Sequence, residues 1–389
     1  MTRTEPPTVL FVVSEDWYFV SHRLPQARAV RDLGCRVVVA ARMRAQEEAI
    51  RAEGFEPVAI PMVRGSLNPL REVRSVWALW RILCVERPAV MHCVALKPIL
   101  AGGLAALGVR RLKVVNAFTG MGAILGHGVV RRRFLHRGLA LAIRMLSRLD
   151  RAHCIVQNAD DRDFLIRAKI APAEQVTLIP GSGVDTQAFS PTPEPDGPVT
   201  IMMVARLLRD KGVAELVAAA RLLRERGLQL RVWIVGERDP ENPGSVSADE
   251  IARWQHEGNV NFLGRRCDVA QLWHQAHIAV LPSYYGEGVP KSLLEAAASG
   301  RPIVTTDMPG CRDLVPEGRT GILVPPRDVE ALATALARLA GNTGLRLQMG
   351  AAVRDLVLQH FSETEIQTAT QKLYQMLLGE RVQATSVHK

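Results

Sequence analysis

Val199-Thr200-Ile201-Met202-Met203-Val204-Ala205-Arg206-Leu207-Leu208-Arg209-Asp210-Lys211-Gly212-Val213 joins a buried strand to a helix through a short basic loop. The apolar run 199–204 has the length of a strand. From about residue 213 to 226 apolar side chains recur at Leu216, Val217, Ala220 and Leu223, the period of a helix packed on a sheet. Arg206 therefore leaves the carboxyl end of a strand, and Lys211 meets the next helix N-terminus. Ligands of open α/β sheets bind beyond the carboxyl ends of the strands. Two cations and a helix dipole converging there suit a diphosphate. The competing reading is a pair of solvated loop charges, the ordinary fate of Arg and Lys.

The same strand–helix alternation extends outward in both directions. Strands are expected at 9–13, 36–40, 57–60, 90–91, 113–115, 153–156 and 176–179, then at 199–204, 231–235, 260–262, 278–281, 303–305 and 322–324. Helical patterns between nearly all of them predict parallel sheets in two α/β domains, which 389 residues can accommodate. Four prolines and a glycine in 190–198 mark that stretch as the linker. The domains are expected at 1–190 and 199–363.

A second stretch, Tyr285-Gly286-Glu287-Gly288-Val289-Pro290-Lys291-Ser292-Leu293-Leu294-Glu295, places two glutamates on either side of a Gly-Val-Pro turn. Pro290 fits the first helical position, where its missing N–H would be unpaired anyway. Leu293, Leu294 and Ala296 to Ala298 continue the helix, and Gly300 can close it in a left-handed cap. Glu287 then lies on the entering loop and Glu295 on the helix body, about one and a half turns in, or roughly 8 Å along the axis from the helix start. Helix N-terminal N–H groups between two hydroxyl-binding carboxylates suit a nucleotide sugar. Alternatively, the helix dipole alone accounts for acids near a helix start.

Arg206 with Lys211, Gly236-Glu237, Phe262-Leu263-Gly264, Glu287 with Glu295, 300–304 (GRPIV) and 318–324 (GRTGILV) occur in one order. As a set they resemble the retaining glycosyltransferases of family 4, with the GT-B architecture of two Rossmann-like domains facing a central cleft. Further pieces in the N-terminal half are 21–25 (SHRLP), 90–92 (VMH), 96–98 (LKP), 116–120 (NAFTG), 157–161 (QNADD) and 179–185 (IPGSGVD). They resemble the subset that extends polyprenyl-diphosphate-linked glycans.

The resemblance implies that Arg206 and Lys211 stabilise charge on the leaving diphosphate, that Glu287 binds donor-sugar hydroxyls and that Glu295 binds the ribose. Gly236, Arg265, Gly288 and Val289 would complete the donor site. His92, at the expected carboxyl end of a strand, would reach the cleft near the donor sugar. Related enzymes often carry a second histidine two positions later, and this chain has Val94. Lys97 is the alternative polar group of that loop. The turn Ser14-Glu15-Asp16-Trp17-Tyr18-Phe19 replaces the usual glycine-rich turn. Asp16, Arg23 and Lys97 would bind an acceptor sugar and lipid diphosphate, with Trp17, Tyr18 and Phe19 as acceptor contacts or core. A last helix within 364–389 would cross back onto the N-terminal domain.

The implied reaction moves a sugar, of the N-acetylhexosamine type, from a UDP-sugar to a polyprenyl-diphosphate saccharide in surface glycan assembly, without a metal or other cofactor. The alternatives are a mannosyl- or glucosyltransferase using another nucleotide sugar, or a nucleotide-sugar-binding protein without turnover. An oxidoreductase would need a Gly-x-Gly-x-x-Gly between strand and helix, which is absent. Asp161-Arg162-Asp163 has the form of a metal-binding DxD, but it opens a helix, where acids complement the dipole.

Composition narrows the partners. Aromatic residues make up 5% of the chain, too few for a base-stacking or lectin-like platform. Six cysteines without a CxxC pair read as buried apolar residues of a reducing compartment. The most apolar long run, 89–108, is broken by His92, Lys97 and Pro98, so no span is expected. With no signal peptide visible, the expected location is cytoplasmic, on the inner face of the cell membrane. The net charge of +10 is one-sided: residues 1–190 carry 27 basic and 16 acidic side chains, and the remainder 22 and 23. On a helix from about residue 131 to 149, Arg133, Arg137, Arg144 and Arg148 share roughly 60° of arc. Such a face suits an anionic membrane, or is an ordinary solvated face. No nucleic-acid-binding motif accompanies it.

Overall fold

The computed structural model describes residues 6–65, 68–109, 111–120, 133–149, 151–379 and 382, and among these all side chains except those of 133–137, 139, 140 and 317. The chain divides into two compact units, Met1–Ser182 with Thr364–Lys389, and Gly183–Glu363.

In the first unit seven strands form one parallel sheet: β1 (Thr8–Glu15), β2 (Arg36–Arg42), β3 (Glu56–Ala59), β4 (Val90–Val94), β5 (Lys113–Ala117), β6 (Ala152–Val156) and β7 (Val176–Leu178), in the order β3-β2-β1-β4-β5-β6-β7. Six strands form that of the second: β8 (Thr200–Val204), β9 (Arg231–Val235), β10 (Asn261–Gly264), β11 (Ile278–Leu281), β12 (Ile303–Thr306) and β13 (Gly321–Val324), in the order β10-β9-β8-β11-β12-β13. Every expected apolar run forms a strand. Central strands such as β4, β6 and β11 are buried at every position, so their sequences are continuous apolar runs rather than alternations.

Helices cover both faces of the first sheet. Leu79 and Leu83 of helix Pro69–Glu86, Ile99 of Leu96–Ala105 and Ile143 of Arg133–Ser147 share one core with Leu10, Val12 and Met91. On the other face Phe19, Ala27 and Val30 pack with Phe11 and Val37, together with Ile366, Leu373, Tyr374 and Leu378 of the last helix, Glu363–Leu378. No helix among the described residues is long and apolar enough to cross a membrane.

The proline-rich stretch 190–198 is held by the second unit instead of hanging free. Glu194 makes a two-pronged ion pair with Arg346, whose side chain is only 4% exposed. Arg301 donates to Thr192 Oγ1 (2.7 Å), and the His277 ring contacts the Pro195 carbonyl (3.1 Å). The division between units falls earlier, at Ser182 and Gly183. Removing one member of a buried pair strands the other charge. Arg346→Ala should therefore destabilise the second unit by about 3 kcal/mol or more, read as a lower urea midpoint. An unchanged midpoint would mean the segment docks without the pair.

Candidate active site

In the second sheet β8 lies between β9 and β11, so the strand order reverses at the β8/β11 boundary. A crevice opens at such a switch point beyond the carboxyl ends of the strands. Arg206 follows β8 directly, and Lys211 ends a short 3₁₀ turn before helix Val213–Glu225. Ser283 to Glu287 follow β11 and lead into helix Lys291–Ala298. Chain crossing thus brings together residues that lie 76 positions apart.

Two glycines permit the close approach. Gly236, after β9, holds φ +142°, and a Cβ there would collide with the Ala205 carbonyl oxygen. Gly310, after β12, holds φ +81°, and its Cβ would collide with the Gly288 carbonyl. The 307–311 segment therefore lies directly against the loop that carries Glu287. Cys311 is buried there, and burial first, then the Glu287 charge, pushes its thiol up to about 12.

The two cations are already engaged. Arg206 Nη1 donates to Asp239 Oδ2 at 2.5 Å, and Lys211 Nζ pairs with Glu287 Oε1. Ser283 Oγ lies 2.9 Å from Glu287 Oε1 and 3.0 Å from the Asp210 carbonyl oxygen, so its single proton can serve either. The Asp210 side chain is tucked inside this group, with Oδ1 buried and unpaired. Burial raises its carboxyl above the ordinary range, Lys211 and Arg206 pull it down, and Glu287 adds to the rise. Burial and the charges of Asp210 and Glu287 hold the Tyr285 phenol up at about 12.

Helix Lys291–Ala298 begins one residue later than expected: Pro290 is its cap, with φ −65° and ψ 118°, rather than its first residue. Gly300 closes it at φ +71° as expected, its N–H donating to the Ala297 carbonyl. Glu295 points from the helix body into a part-buried position, and burial raises its carboxyl to about 7 despite the nearby Lys291. Gly288 and Val289 are buried at the helix entry, and Arg265 stands exposed at the rim, 3.6 Å from Glu237. Asp239, Ser283, Asp210 and Gly310 escaped the sequence reading. Asp239 sits in a polar loop without periodicity, and nothing in the sequence ties it to Arg206.

The first unit corrects several expectations. His92 is at the middle of β4, not beyond its end, because the strand runs on to Val94. Its ring is fully buried, stacked on Phe11 (4.7 Å between centroids) and bonded through Nδ1 to the Tyr374 hydroxyl (2.8 Å). Burial, with the Arg23 charge, lowers its pKa to about 3. Asp16 is a clasp: its fully buried carboxylate accepts the backbone N–H groups of Trp17, Arg44, Ala45 and Gln46, and these bonds hold its pKa down against the burial that would raise it.

Lys97 ties the Val63 carbonyl (2.5 Å) to Glu72 (2.7 Å). Arg23 is buried, donating to Gln26 Oε1 (2.8 Å) and the Tyr18 hydroxyl (3.2 Å) while its Nε finds no partner. Phe19 is core, whereas Trp17 and Tyr18 are part-exposed. Asn158 caps helix Ala159–Arg167 through Asp161, which is buried, so that stretch of the DxD string is structural. Arg144 is part-exposed and Arg148 exposed; the side chains of Arg133 and Arg137 lie outside the described residues.

Residues 25–188 match the family profile described as Glycosyltransferase Family 4, and residues 198–342 that described as Glycosyl transferases group 1. The chain is a glycosyltransferase built from these two domains. Its GT-B fold type is that of two parallel-sheet α/β domains. The glycosyltransferase is 26% identical over 372 residues to the N,N'-diacetylbacillosaminyl-diphospho-undecaprenol alpha-1,3-N-acetylgalactosaminyltransferase of Campylobacter jejuni, covering 92% of this chain and 95% of that one. It superposes on sucrose-phosphate synthase from Thermosynechococcus elongatus with a TM-score of 0.80 at 18% identity, over 96% of this chain and 100% of the other. On Anabaena Alr3699/HepE in complex with UDP-glucose the score is 0.74 at 17% identity, over 95% and 99%.

The raised Glu295 pKa has a direct consequence for stability. A carboxyl harder to ionise when folded contributes stability fully present below about pH 4.5 and lost as pH rises through about 7. Glu295→Gln should unfold like the parent near pH 4 and be more stable by about 2–3 kcal/mol above pH 8. Parallel stability curves across that range would show that Glu295 titrates as it does in water.

Proposed function

We propose that this glycosyltransferase retains anomeric configuration while moving an N-acetylhexosamine from a UDP-sugar to a polyprenyl-diphosphate saccharide at the inner face of a membrane. The observation that carries the reading is the Arg206, Lys211 and Glu287 cluster at the switch point of the second sheet. The full-length likeness to a transferase named for an N-acetylgalactosaminyl donor group and an undecaprenol-linked acceptor supports both substrate classes.

In this reading the donor diphosphate draws Arg206 from Asp239 and Lys211 from Glu287. The bond from the sugar C1 to the phosphate oxygen breaks, and the acceptor hydroxyl attacks the same face. The acceptor proton passes to the leaving phosphate, so no protein base is needed. Arg206 and Lys211 stabilise the charge growing on the departing diphosphate without a metal, the preorganised electrostatics typical of such sites. Glu287, released from Lys211, accepts from donor-sugar hydroxyls, and Glu295 accepts from the ribose. Gly236, Gly288 and Val289 bring backbone close to the donor, and Arg265 lies at the rim. Arg23, with its unpaired Nε, is the first-unit group best suited to an acceptor phosphate. Arg144 and Arg148 attract anionic lipid, as Arg133 and Arg137 do in the same proposal.

Arg206→Ala and Lys211→Ala should each lower kcat by on the order of 10²-fold or more. The assay is release of nucleoside diphosphate from UDP-, GDP- and dTDP-sugars with bacterial lipid extract and EDTA. Release from one donor, dependent on lipid and insensitive to EDTA, is the expected result. Near-normal turnover in both variants would remove these residues from the chemistry.

A further inference from the structure

Helix Pro69–Glu86 is apolar on two faces, and among the described residues only one of them has a partner. Ser75, Leu79 and Leu83 face inward onto the sheet. Leu70, Val73, Trp77 and Trp80 are 74%, 65%, 56% and 46% exposed. At 100° per residue these four fall within roughly 80° of arc, centred about 140° from the buried face. Exposed Cys84 falls in the same stripe. Single exposed apolar residues are ordinary, but a continuous stripe of this kind marks a docking surface.

The charges on the helix are sorted in the same way. Its two acids lie on the inward side and are neutralised, Glu72 by Lys97 and Glu86 by Arg36. Arg74 and Arg81 stand exposed beside the stripe, with Arg81 5.0 Å above the Trp77 ring. No acid is exposed on the outward side of this helix. The layer continues sideways. Helix Leu96–Ala105 packs beside it and helix Arg133–Ser147 beside that one. They turn Leu104, Leu141 and Met145 outward, and Leu107 follows in the adjoining 3₁₀ turn.

We infer that this outward layer, centred on Trp77 and Trp80, is where the protein docks on an anionic lipid bilayer. Tryptophan favours the boundary between acyl chains and headgroups, where its ring is half-immersed. Apolar side chains insert, and the flanking arginines meet anionic headgroups. Charge complementarity selects this occupant, since a purely apolar protein partner would leave the Arg74 and Arg81 guanidinium groups stranded at its edge. The inference rests on the membrane part of the proposed function and adds the surface that meets the bilayer; docking itself needs neither donor nor acceptor.

The test is co-sedimentation of the full chain with phosphatidylglycerol or phosphatidylcholine vesicles. The parent should partition onto the anionic vesicles. Trp77→Ser with Trp80→Ser should lower the partition coefficient at least about tenfold. Arg74→Gln with Arg81→Gln should lower it by roughly 30-fold at low salt, and by less at high salt. All four side chains are exposed, and unchanged thermal midpoints would confirm intact folding. Spin-labelled lipid should quench emission of the parent and not of the double Trp variant. Parent protein that ignores both vesicle types overturns the docking surface, while continued nucleoside diphosphate release would leave the transferase reading standing. If Arg144→Gln with Arg148→Gln abolishes binding and the Trp variant does not, the membrane is met through the Arg133–Ser147 helix alone and a surface centred on Trp77 and Trp80 is wrong. A dimer in vesicle-free solution that disappears with Trp77→Ser would give the stripe to a second copy of the chain instead.

Discussion

The pairing of Lys211 with Glu287 organises the carboxyl edge of the second sheet. One member follows β8 and the other β11, the two strands on either side of the order reversal. Their attraction draws two loops together over the crevice, and Ser283, Asp210 and Cys311 arrange themselves beneath. Gly310 makes the arrangement possible by letting a third loop press against the Glu287 backbone. With Asp239 on Arg206, the cations of the site are balanced before any ligand arrives.

That balance has a physical logic. Bare cations gathered at a strand edge would repel one another and would be expensive to shelter from water. Carboxylate partners keep them in place at low cost, and in the proposed function a diphosphate would compete with those carboxylates by engaging both cations. Arg206 and Lys211 each hold such a partner in the second unit. The first unit solves a different problem. The last helix returns to close one face of its sheet, and Tyr374 satisfies the buried ring of His92. Asp16 likewise spends its charge on backbone N–H groups.

How far these features could be read in advance depended on their range. The strands were legible because burial on both faces makes each a short apolar run. Helix Val213–Glu225 was legible from Leu216, Val217, Ala220 and Leu223. Lys211 and Glu287 could be singled out as a pattern, whereas the partner of Arg206 could not, since Asp239 lies in a loop whose only signal is polarity. His92 was misplaced because the apolar run around it was ended too early: Cys93 and Val94 continue the strand and carry it into the core. The proline-rich 190–198 stretch was read as the linker because proline content reports backbone stiffness and says nothing of Arg346 and its ion pair.

The sequence by itself determined the strand and helix pattern, the division into two α/β units and the family, since each follows from local period, turn chemistry or an ordered set of short motifs. Only the tertiary structure decided which charges pair, which polar residues are sealed inside, and which of the two apolar faces of helix Pro69–Glu86 meets the sheet. Those outcomes depend on side chains far apart in the chain meeting at a strand edge or a helix face. A periodic pattern fixes the angle between residues on one helix, but not what stands opposite them.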